Sequence, residues 1–208
     1  MKIYKTEVSS FATNCYFAVN EDTKEGIIFD PGAEIHNILG MIKQAGAKCV
    51  AIFLTHGHSD HIGALEDLRK ETGADVYVSS KDKKMLSDAR TNLSLYFGDN
   101  IKCAEPEHVL EGDTHISAAG MEFDVFATPG HTPGGICFYN KESKMLFAGD
   151  TIFCESIGRT DFPGGSYKEI LNSIKTKILV LPDDTNILPG HGPTSTVGWE
   201  RRRNPFLQ

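Results

Sequence analysis

Residues 55–61 decide how this chain is interpreted, and they read Thr55-His56-Gly57-His58-Ser59-Asp60-His61. The segment holds four side chains that can bind a metal ion, and it follows a continuous apolar run at residues 50–54. Such a run is typical of a strand that is buried on both faces. Histidine and aspartate are costly to bury unless they are paired, hydrogen-bonded or bound to a metal. We therefore predict a tight loop that opens a helix, with His56 and His58 aimed at one point and Asp60 and His61 at a neighbouring point.

Three more metal-capable side chains come at the ends of later predicted strands. His131 is flanked on both sides by Thr-Pro-Gly, Asp150 ends the apolar run at residues 145–149, and His191 lies between two glycines. Catalytic groups in α/β folds collect at the carboxyl ends of strands. The set contains five of the eight histidines of the chain. Together with Asp60 and Asp150, these histidines suffice for two metal ions, a shared carboxylate and a water.

Short β-like runs alternate with helix-like segments in both halves of the chain, without a linker or a repeat. Apolar periodicity predicts a helix over residues 35–42 that ends near Gly46, and another that starts near Asp60. Sheets flanked by helices on their outer faces follow from this alternation, so we predict a single α/β domain over residues 1–208. Strands are predicted at residues 3–8, 15–19, 27–30, 50–54, 76–78, 122–127, 135–139, 144–148 and 186–188, and further helices at 80–89, 167–178 and 197–203.

The composition excludes several classes of partner. The 208 residues carry a formal net charge of −7, and the one dense basic run is residues 201–203. Nucleic-acid binding depends on excess lysine and arginine, so we predict no nucleic-acid partner. No apolar stretch approaches the roughly 18 residues that a membrane span needs, so we predict no membrane partner. A cytoplasmic location is the expectation.

The five cysteines are widely spaced and form no Cys-x-x-Cys pair. This argues against a disulfide framework and against a cysteine-built zinc site. Cys154, four residues after Asp150, is expected to be a small buried core residue. The histidines outside the metal-capable set are expected at the surface, and they are His36, His108 and His115.

The order of these side chains resembles that of the metallo-β-lactamase superfamily, from the His-x-His-x-Asp-His cluster at 56–61 through His131, Asp150 and His191. The resemblance implies an αββα sandwich of two mixed sheets with helices on the outer faces and a binuclear site at one edge. It also implies two divalent ions, with zinc expected and iron or manganese as alternatives. One ion would take His56, His58 and His131, the other Asp60, His61 and His191, and Asp150 would bridge.

Within that superfamily the chain resembles the glyoxalase II group of thioester hydrolases. Asp150 argues against the lactamases that place a cysteine at this stage, and residues 156–165 resemble a segment of short glyoxalase II-like proteins. The implied reaction is attack on a thioester, S-lactoylglutathione or a related acyl thioester, by a hydroxide that bridges two metals, while Asp60 orients the hydroxide and carries a proton. Larger glyoxalases II hold glutathione with a further domain, but 17 residues follow His191 here, so Arg159 is the local candidate for an anionic contact.

Two other functions stay open on the sequence. Residues 156–165 also resemble a segment of persulfide dioxygenases, which would use a single iron held by His56, His131 and Asp150. Lactone or phosphoester hydrolysis is the third candidate. An ion pair between Arg159 and Asp161 that holds a loop is as good an interpretation of Arg159 as a substrate contact.

Overall fold

The first half of the chain forms one of two six-stranded sheets in the computed structural model, which describes residues 1–208. The strands of this sheet lie in the order in which they occur in the chain. The first two pairs of neighbouring strands are antiparallel, and the remaining three pairs are parallel. Parallel neighbours need a crossover connection, which α-helices provide for the first two parallel pairs and a long segment with two 3₁₀ turns provides for the last pair. The elements are β1 (Lys2–Val8), β2 (Thr13–Asn20), β3 (Glu25–Phe29), α1 (Ile35–Ala45), β4 (Lys48–Phe53), α2 (Ser59–Ile62), α3 (Leu65–Thr72), β5 (Asp75–Ser79) and β6 (His108–Leu110).

The second half forms the other sheet, in the strand order β14-β13-β10-β9-β8-β7. Its elements are β7 (Thr114–Ala118), β8 (Met121–Ala127), β9 (Ile136–Asn140), β10 (Met145–Gly149), β11 (Ile152–Phe153), β12 (Ser156–Ile157), α4 (Tyr167–Ser173), β13 (Asn186–Pro189), β14 (Ser195–Thr196) and α5 (Val197–Arg203). The strands β7 to β10 pair antiparallel, whereas β10 and β13 run parallel. Both sheets are therefore mixed, as predicted.

Alternating side chains of the strands build three apolar layers. Along β2, Cys15 and Phe17 face the layer between the first sheet and the helices α1 to α3, while Tyr16 and Ala18 face the second sheet. The third layer lies between the second sheet and the later helices, and it includes Ile170 of α4. The period-2 alternation of a strand sends neighbouring residues to opposite faces. The result is the predicted order of helices, sheet, sheet and helices.

Phenylalanine rings dominate the layer between the two sheets. Phe29 of β3 stacks on Phe147 of β10, with ring centroids 3.7 Å apart and planes 2° apart. The edges of Phe53 and Phe138 meet Phe29 at 5.4 and 5.6 Å, and these two rings stack on each other at 4.8 Å. Aromatic pairs in such arrangements stabilise a core beyond the burial of their area. These contacts fix the two sheets relative to each other.

Most predicted elements are confirmed, and two need correction. The helix predicted over residues 80–89 is wrong, because only a short 3₁₀ turn forms at Lys83–Leu86. The Asp82 carboxylate turns inward and binds other loops, which is incompatible with a surface helix there. The helix that starts near Asp60 is divided into α2 and α3, because the backbone leaves the helical conformation at Ala64 (φ −101°, ψ 8°), whose N–H donates to the Pro31 carbonyl at 2.9 Å.

None of the helices combines the length and the apolar character that a membrane crossing requires.

Candidate metal centre

The seven metal-capable side chains predicted from the sequence meet at one end of the two sheets. Each follows a strand: the segment 56–61 follows β4, His131 follows β8, Asp150 follows β10, and His191 follows β13. Because β10 and β13 are parallel, their carboxyl ends bring Asp150 and His191 to the same edge. The structure thus brings together every residue of the predicted set.

The first trio consists of His56, His58 and His131, whose ligand atoms all lie within 4.8 Å of one another. His58 Nδ1 lies 2.9 Å from His131 Nε2. The ring of His56 meets those of His58 and His131 edge-on, at centroid distances of 4.8 and 4.9 Å. All three side chains are buried. Three imidazole nitrogens directed at one point are a donor set suited to zinc, iron or manganese.

The second trio consists of Asp60, His61 and His191, again with ligand atoms within 4.8 Å of one another. His191 Nε2 lies 3.4 Å from His61 Nε2 and 3.3 Å from Asp60 Oδ2. Asp60 and His61 occupy the first turn of α2, as predicted, and this turn places their side chains beside the loop that carries His191.

Asp150 lies between the two trios. Its Oδ2 is 3.4 Å from His131 Nε2 of the first trio and 3.5 Å from His191 Nε2 of the second. Its Oδ1 is 3.4 Å from His61 Nε2. A Cβ on Gly190 would lie 2.2 Å from this Oδ1, so the close approach requires glycine at that position. The carboxylate is in the position that a group shared by both trios would need.

The second ring nitrogen of two histidines is held by a backbone carbonyl. His131 Nδ1 donates to the Arg159 carbonyl at 2.7 Å, and His191 Nδ1 donates to the Phe11 carbonyl at 3.0 Å. These bonds assign the ring proton of the neutral imidazole to Nδ1 and leave Nε2 with a free lone pair. Both rings are thereby oriented with Nε2 toward Asp150.

Asp30 supports His56 through Thr55 and lies beside His61, and sequence analysis did not recognise its role. Its Oδ2 accepts a hydrogen bond from Thr55 Oγ1 at 2.7 Å and lies 3.1 Å from His61 Nδ1. Thr55 Oγ1 in turn lies 3.1 Å from His56 Nδ1 and can accept its proton, which leaves His56 Nε2 free. The Asp30-Pro31-Gly32 turn at the end of a strand was the one signal in the sequence that pointed to this position.

Asp82 is a second supporting residue that sequence analysis missed. Its buried carboxylate accepts the Gly57 N–H at 3.2 Å, Thr132 Oγ1 at 2.6 Å and the Gly134 N–H at 2.7 Å. It therefore connects the loop of His56 and His58 to the loop of His131. No local pattern could reveal this role, because the three partners lie 25 to 52 positions away in the chain.

The two trios differ in their electrostatics. Burial and neighbouring histidine charges lower the pKa of His56 well below its usual range and that of His58 to about 3. Burial also opposes charge on His61 and His191, but nearby carboxylates outweigh it and raise their pKa values to about 9 and about 10. Asp60 shows the reciprocal effect, since burial is outweighed by His61 and His191 and its pKa falls below its usual range.

The donor set fits metal ions. His56 Nε2 and Asp150 Oδ1 are buried and have no hydrogen-bond partner within the protein. A buried polar atom without a partner costs about 1–3 kcal/mol, so such atoms are rare unless they have a function. An ion that accepted both lone pairs would remove this cost. The protein chain supplies the orientation of the ligands, and a cation would supply the missing partner.

A cavity of about 400 Å³ opens above the two trios. It is bordered by His58, Asp60, His131, Asp150 and His191 and by several apolar side chains. The cavity reaches both trios, so a ligand in it would touch both.

Arg159 lies on the cavity wall and is paired. Its Nε and Nη2 donate to the two carboxylate oxygens of Asp161, each at 2.7 Å, and its guanidinium lies 3.8 Å from the ring centroid of Phe162. Both interpretations of Arg159 made from the sequence are compatible with this position, because the ion pair holds the loop while the side chain borders the cavity.

Cys154 is not the buried core residue predicted from the sequence. It is half-buried and borders a different, shallow cavity together with Ser195 and Trp199. Cys154 lies in the β11–β12 hairpin and does not border the cavity above the two trios. His36, His108 and His115 are exposed, as predicted.

Two facing mixed sheets, helices outside them and a His/Asp cluster at their shared edge define a metallo-hydrolase of the α/β/β/α class. Residues 9–191 match the sequence model of the metallo-beta-lactamase superfamily. The chain belongs to this superfamily, as the ligand order predicted.

Similar proteins cover the chain along its whole length. Hydroxyacylglutathione hydrolase GloC of Haemophilus influenzae is 38% identical over 209 residues, which span 100% of this chain and 98% of GloC. The crystal structure of BLEG-1, a B3 metallo-β-lactamase, has 39% sequence identity and a TM-score of 0.95 and covers 99% of both chains. TTHA1623, crystallised in a di-iron-bound form, has 33% identity and a TM-score of 0.86, with 98% of this chain and 100% of that chain covered.

Proposed function

We propose that this protein hydrolyses a thioester, S-lactoylglutathione or a related acyl thioester, with the help of two metal ions. Water adds to the acyl carbon, the C–S bond breaks, and the products are a carboxylate, a thiol and a proton. The observation that carries the chemistry is the convergence of two ligand trios and a shared carboxylate beneath one open cavity. The likeness to GloC, a hydroxyacylglutathione hydrolase, supports the substrate class.

His56, His58 and His131 would hold one ion, Asp60, His61 and His191 the other, and Asp150 both. When bound, such ions supply Lewis acidity, which lowers the pKa of water to near neutrality and polarises a carbonyl oxygen. Zinc is our expectation for the metal. The di-iron-bound form of TTHA1623 supports iron as the alternative.

Asp60 is the proposed proton carrier. Its Oδ2 accepts a hydrogen bond from Thr13 Oγ1 at 3.0 Å and lies close to His191, which fixes the orientation of the carboxylate. Because the pKa of Asp60 is lowered, the group is a carboxylate at neutral pH; it can orient the attacking water and hold its proton only briefly. Asp60 borders the cavity, so it can pass this proton to the departing thiolate.

The activity can be tested on purified protein with known metal content. Elemental analysis should give close to two metal ions per chain, and S-lactoylglutathione should be hydrolysed. Persulfide-dependent oxygen uptake, measured on the same sample, tests the dioxygenase. One iron per chain together with oxygen uptake and no thioester hydrolysis would overturn the proposal.

Hydrolysis of β-lactams is the second candidate, because BLEG-1, a B3 metallo-β-lactamase, shares 39% of its sequence with this chain. Both reactions transfer an acyl group to water, so the same trios could serve either. A cephalosporin assayed beside the thioesters distinguishes them. We expect the larger kcat/KM for a thioester, because GloC, which is 38% identical over the whole chain, is a hydroxyacylglutathione hydrolase.

Metal loading should depend on pH mainly at the second trio. His61 and His191 have raised pKa values of about 9 and about 10 in the metal-free protein, so a cation must displace their protons. Its affinity should rise up to about tenfold per pH unit for each displaced proton until the pH passes the pKa of that histidine, about 9 for His61 and about 10 for His191. His56 and His58, whose pKa values are lowered, are already neutral, so these two ligands should add little pH dependence to the loading of the first trio.

Calorimetric titration of the metal-free protein with Zn²⁺ at about pH 6, 7 and 8 measures both affinities. The exposed His36 is a matched control, since His36→Ala should leave both affinities and their pH dependence unchanged. Equal pH slopes for the two ions would contradict the assignment of the trios.

Arg159→Ala should raise the KM for S-lactoylglutathione about fivefold and leave kcat nearly unchanged, because an exposed charge contact contributes binding that is uniform along the reaction. The backbone carbonyl that accepts the His131 proton remains in this variant. Steady-state kinetics measures the effect, and Arg202→Ala, an exposed arginine of α5, is the control. A fall in kcat with an unchanged KM would show that Arg159 acts through the loop and not on the substrate.

A further inference from the structure

An apolar wall, formed by Phe11, Leu93 and Phe97, borders one end of the cavity. The rings of Phe11 and Phe97 meet edge to face, with centroids 5.0 Å apart. They are nevertheless 47% and 55% exposed. The free energy falls when an apolar group covers exposed rings at a cavity, because apolar surface leaves water. Exposed apolar patches of this kind mark binding sites.

Backbone hydrogen bonds fix this wall to the candidate metal centre. The Phe11 carbonyl accepts the proton of His191 Nδ1 at 3.0 Å. On the other side, the Ser59 N–H at the start of α2 donates to the carbonyl of Asn92, the residue before Leu93, at 2.8 Å. The buried amide of Asn92 also donates to two further carbonyls. The wall is therefore preorganised beside the second trio, and it borders the same cavity as both trios.

The charges around the wall disfavour an anionic group. Arg159 is the one arginine or lysine that borders the cavity, and it stacks on Phe162 and pairs with Asp161. Phe11 and Phe97 also border a second cavity, whose charged side chains are acidic apart from His36: Glu34, Asp60, Asp67 and Asp99. A carboxylate placed at the wall would find no free cation, so a neutral group is favoured there.

We propose that the acyl group of the substrate is uncharged and apolar, and that it binds against Phe11, Leu93 and Phe97. This inference rests on the proposed thioester hydrolysis and specifies its substrate class as thioesters of short alkyl or aromatic acids. The reaction is the same: water replaces the thiol at the acyl carbon, and a carboxylate, a thiol and a proton are released.

The wall should make kcat/KM increase with acyl length. Each methylene that leaves water contributes about 0.8 kcal/mol when fully buried, which is about fourfold. Since the wall covers one side of the cavity, we expect kcat/KM to rise about two- to fourfold for each methylene added between the acetyl and the hexanoyl thioester.

A series of glutathione thioesters with one thiol and different acyl groups tests this directly. Acetyl, propionyl, butyryl and hexanoyl esters give the dependence on length. Isobutyryl and lactoyl esters have nearly the same shape but carry a methyl or a hydroxyl group. Each rate is divided by the alkaline hydrolysis rate of the same ester, which removes differences in intrinsic reactivity. The normalised kcat/KM of the isobutyryl thioester should exceed that of the lactoyl thioester by about tenfold or more, because burial of an unpaired hydroxyl is costly.

Variants locate the effect at the wall. Phe11→Ser and Phe97→Ser should each reduce the factor by which kcat/KM rises per methylene, toward a value of one. Tyr96→Ser is the matched control, because Tyr96 is 72% exposed, neighbours Phe97 and does not border the cavity. It should keep the full length dependence, and unchanged metal content and melting temperature would show that all three variants are folded.

S-alkylglutathione thioethers separate this inference from the proposed function, since they bind without being cleaved. If no thioester is hydrolysed but S-hexylglutathione binds more tightly than S-propylglutathione and loses that advantage in Phe97→Ser, the proposed function fails and the apolar wall stands. If thioesters are hydrolysed without a length dependence, or the dependence is unchanged in both wall variants, the inference is wrong. A change of oligomeric state in those variants, with an unchanged length dependence, would make the wall an interface between copies of the chain and would also overturn it.

Discussion

Asp150→Ala should lower the turnover of the metal-loaded enzyme by about 10³-fold or more and weaken both metal ions together. Asp150 lies 3.4–3.5 Å from His61 Nε2, His131 Nε2 and His191 Nε2, so its carboxylate is in contact with both trios. Substitution of residues that merely support a ligand costs about 10- to 100-fold in affinity or activity. Loss of a carboxylate shared by two ions should lower metal affinity and activity by more than this 10- to 100-fold.

Elemental analysis after dialysis and steady-state kinetics measure this effect. His58→Ala is the informative comparison, because it should empty mainly the first trio and leave about one ion per chain. Asp184→Ala removes an exposed carboxylate that pairs with Lys144, and should change neither quantity. If Asp150→Ala retained two ions and normal turnover, the shared role of Asp150 would be ruled out.

Phe29→Ala should lower the free energy of unfolding by about 3–5 kcal/mol. Phe29 is fully buried between the sheets, stacks on Phe147 and meets three further phenylalanine rings. The truncation would leave a cavity at the centre of rigidly paired strands, which cannot easily collapse to fill it. Among the core residues only Phe53 makes as many aromatic contacts.

Urea denaturation measures this loss as a lower midpoint with an unchanged slope. Phe206→Ala is the matched control, because Phe206 is 43% exposed and its truncation should cost well under 1 kcal/mol. Phe29→Leu keeps most of the side-chain volume, so its loss of unfolding free energy should lie between those of Phe29→Ala and Phe206→Ala. This variant gives a measurable value if Phe29→Ala does not fold. A loss below about 1 kcal/mol for Phe29→Ala would contradict the role assigned to this layer.

The expected order of elements and the set of candidate ligands came from local patterns. Alternation along strands and the 3.6-residue period of α1 depend on neighbours within a few positions, so they can be read without knowledge of the fold. The cluster at 56–61 is equally local, since a loop and the first turn of a helix determine where four side chains point. The ligand order along the chain then sufficed to predict the two mixed sheets and the superfamily.

Only the tertiary structure decided what supports and surrounds these side chains. Asp30 and Asp82 are single acidic residues in the sequence, and their roles arise from partners 25 or more positions away. The same dependence on distant partners explains why the helix prediction at 80–89 is wrong. Phe11 and Phe97 form one wall although 85 residues separate them in the chain. Such contacts depend on how the two sheets and their loops pack. The periodicity of the sequence predicts which face of a strand or helix a residue occupies, but not which distant residue it contacts there.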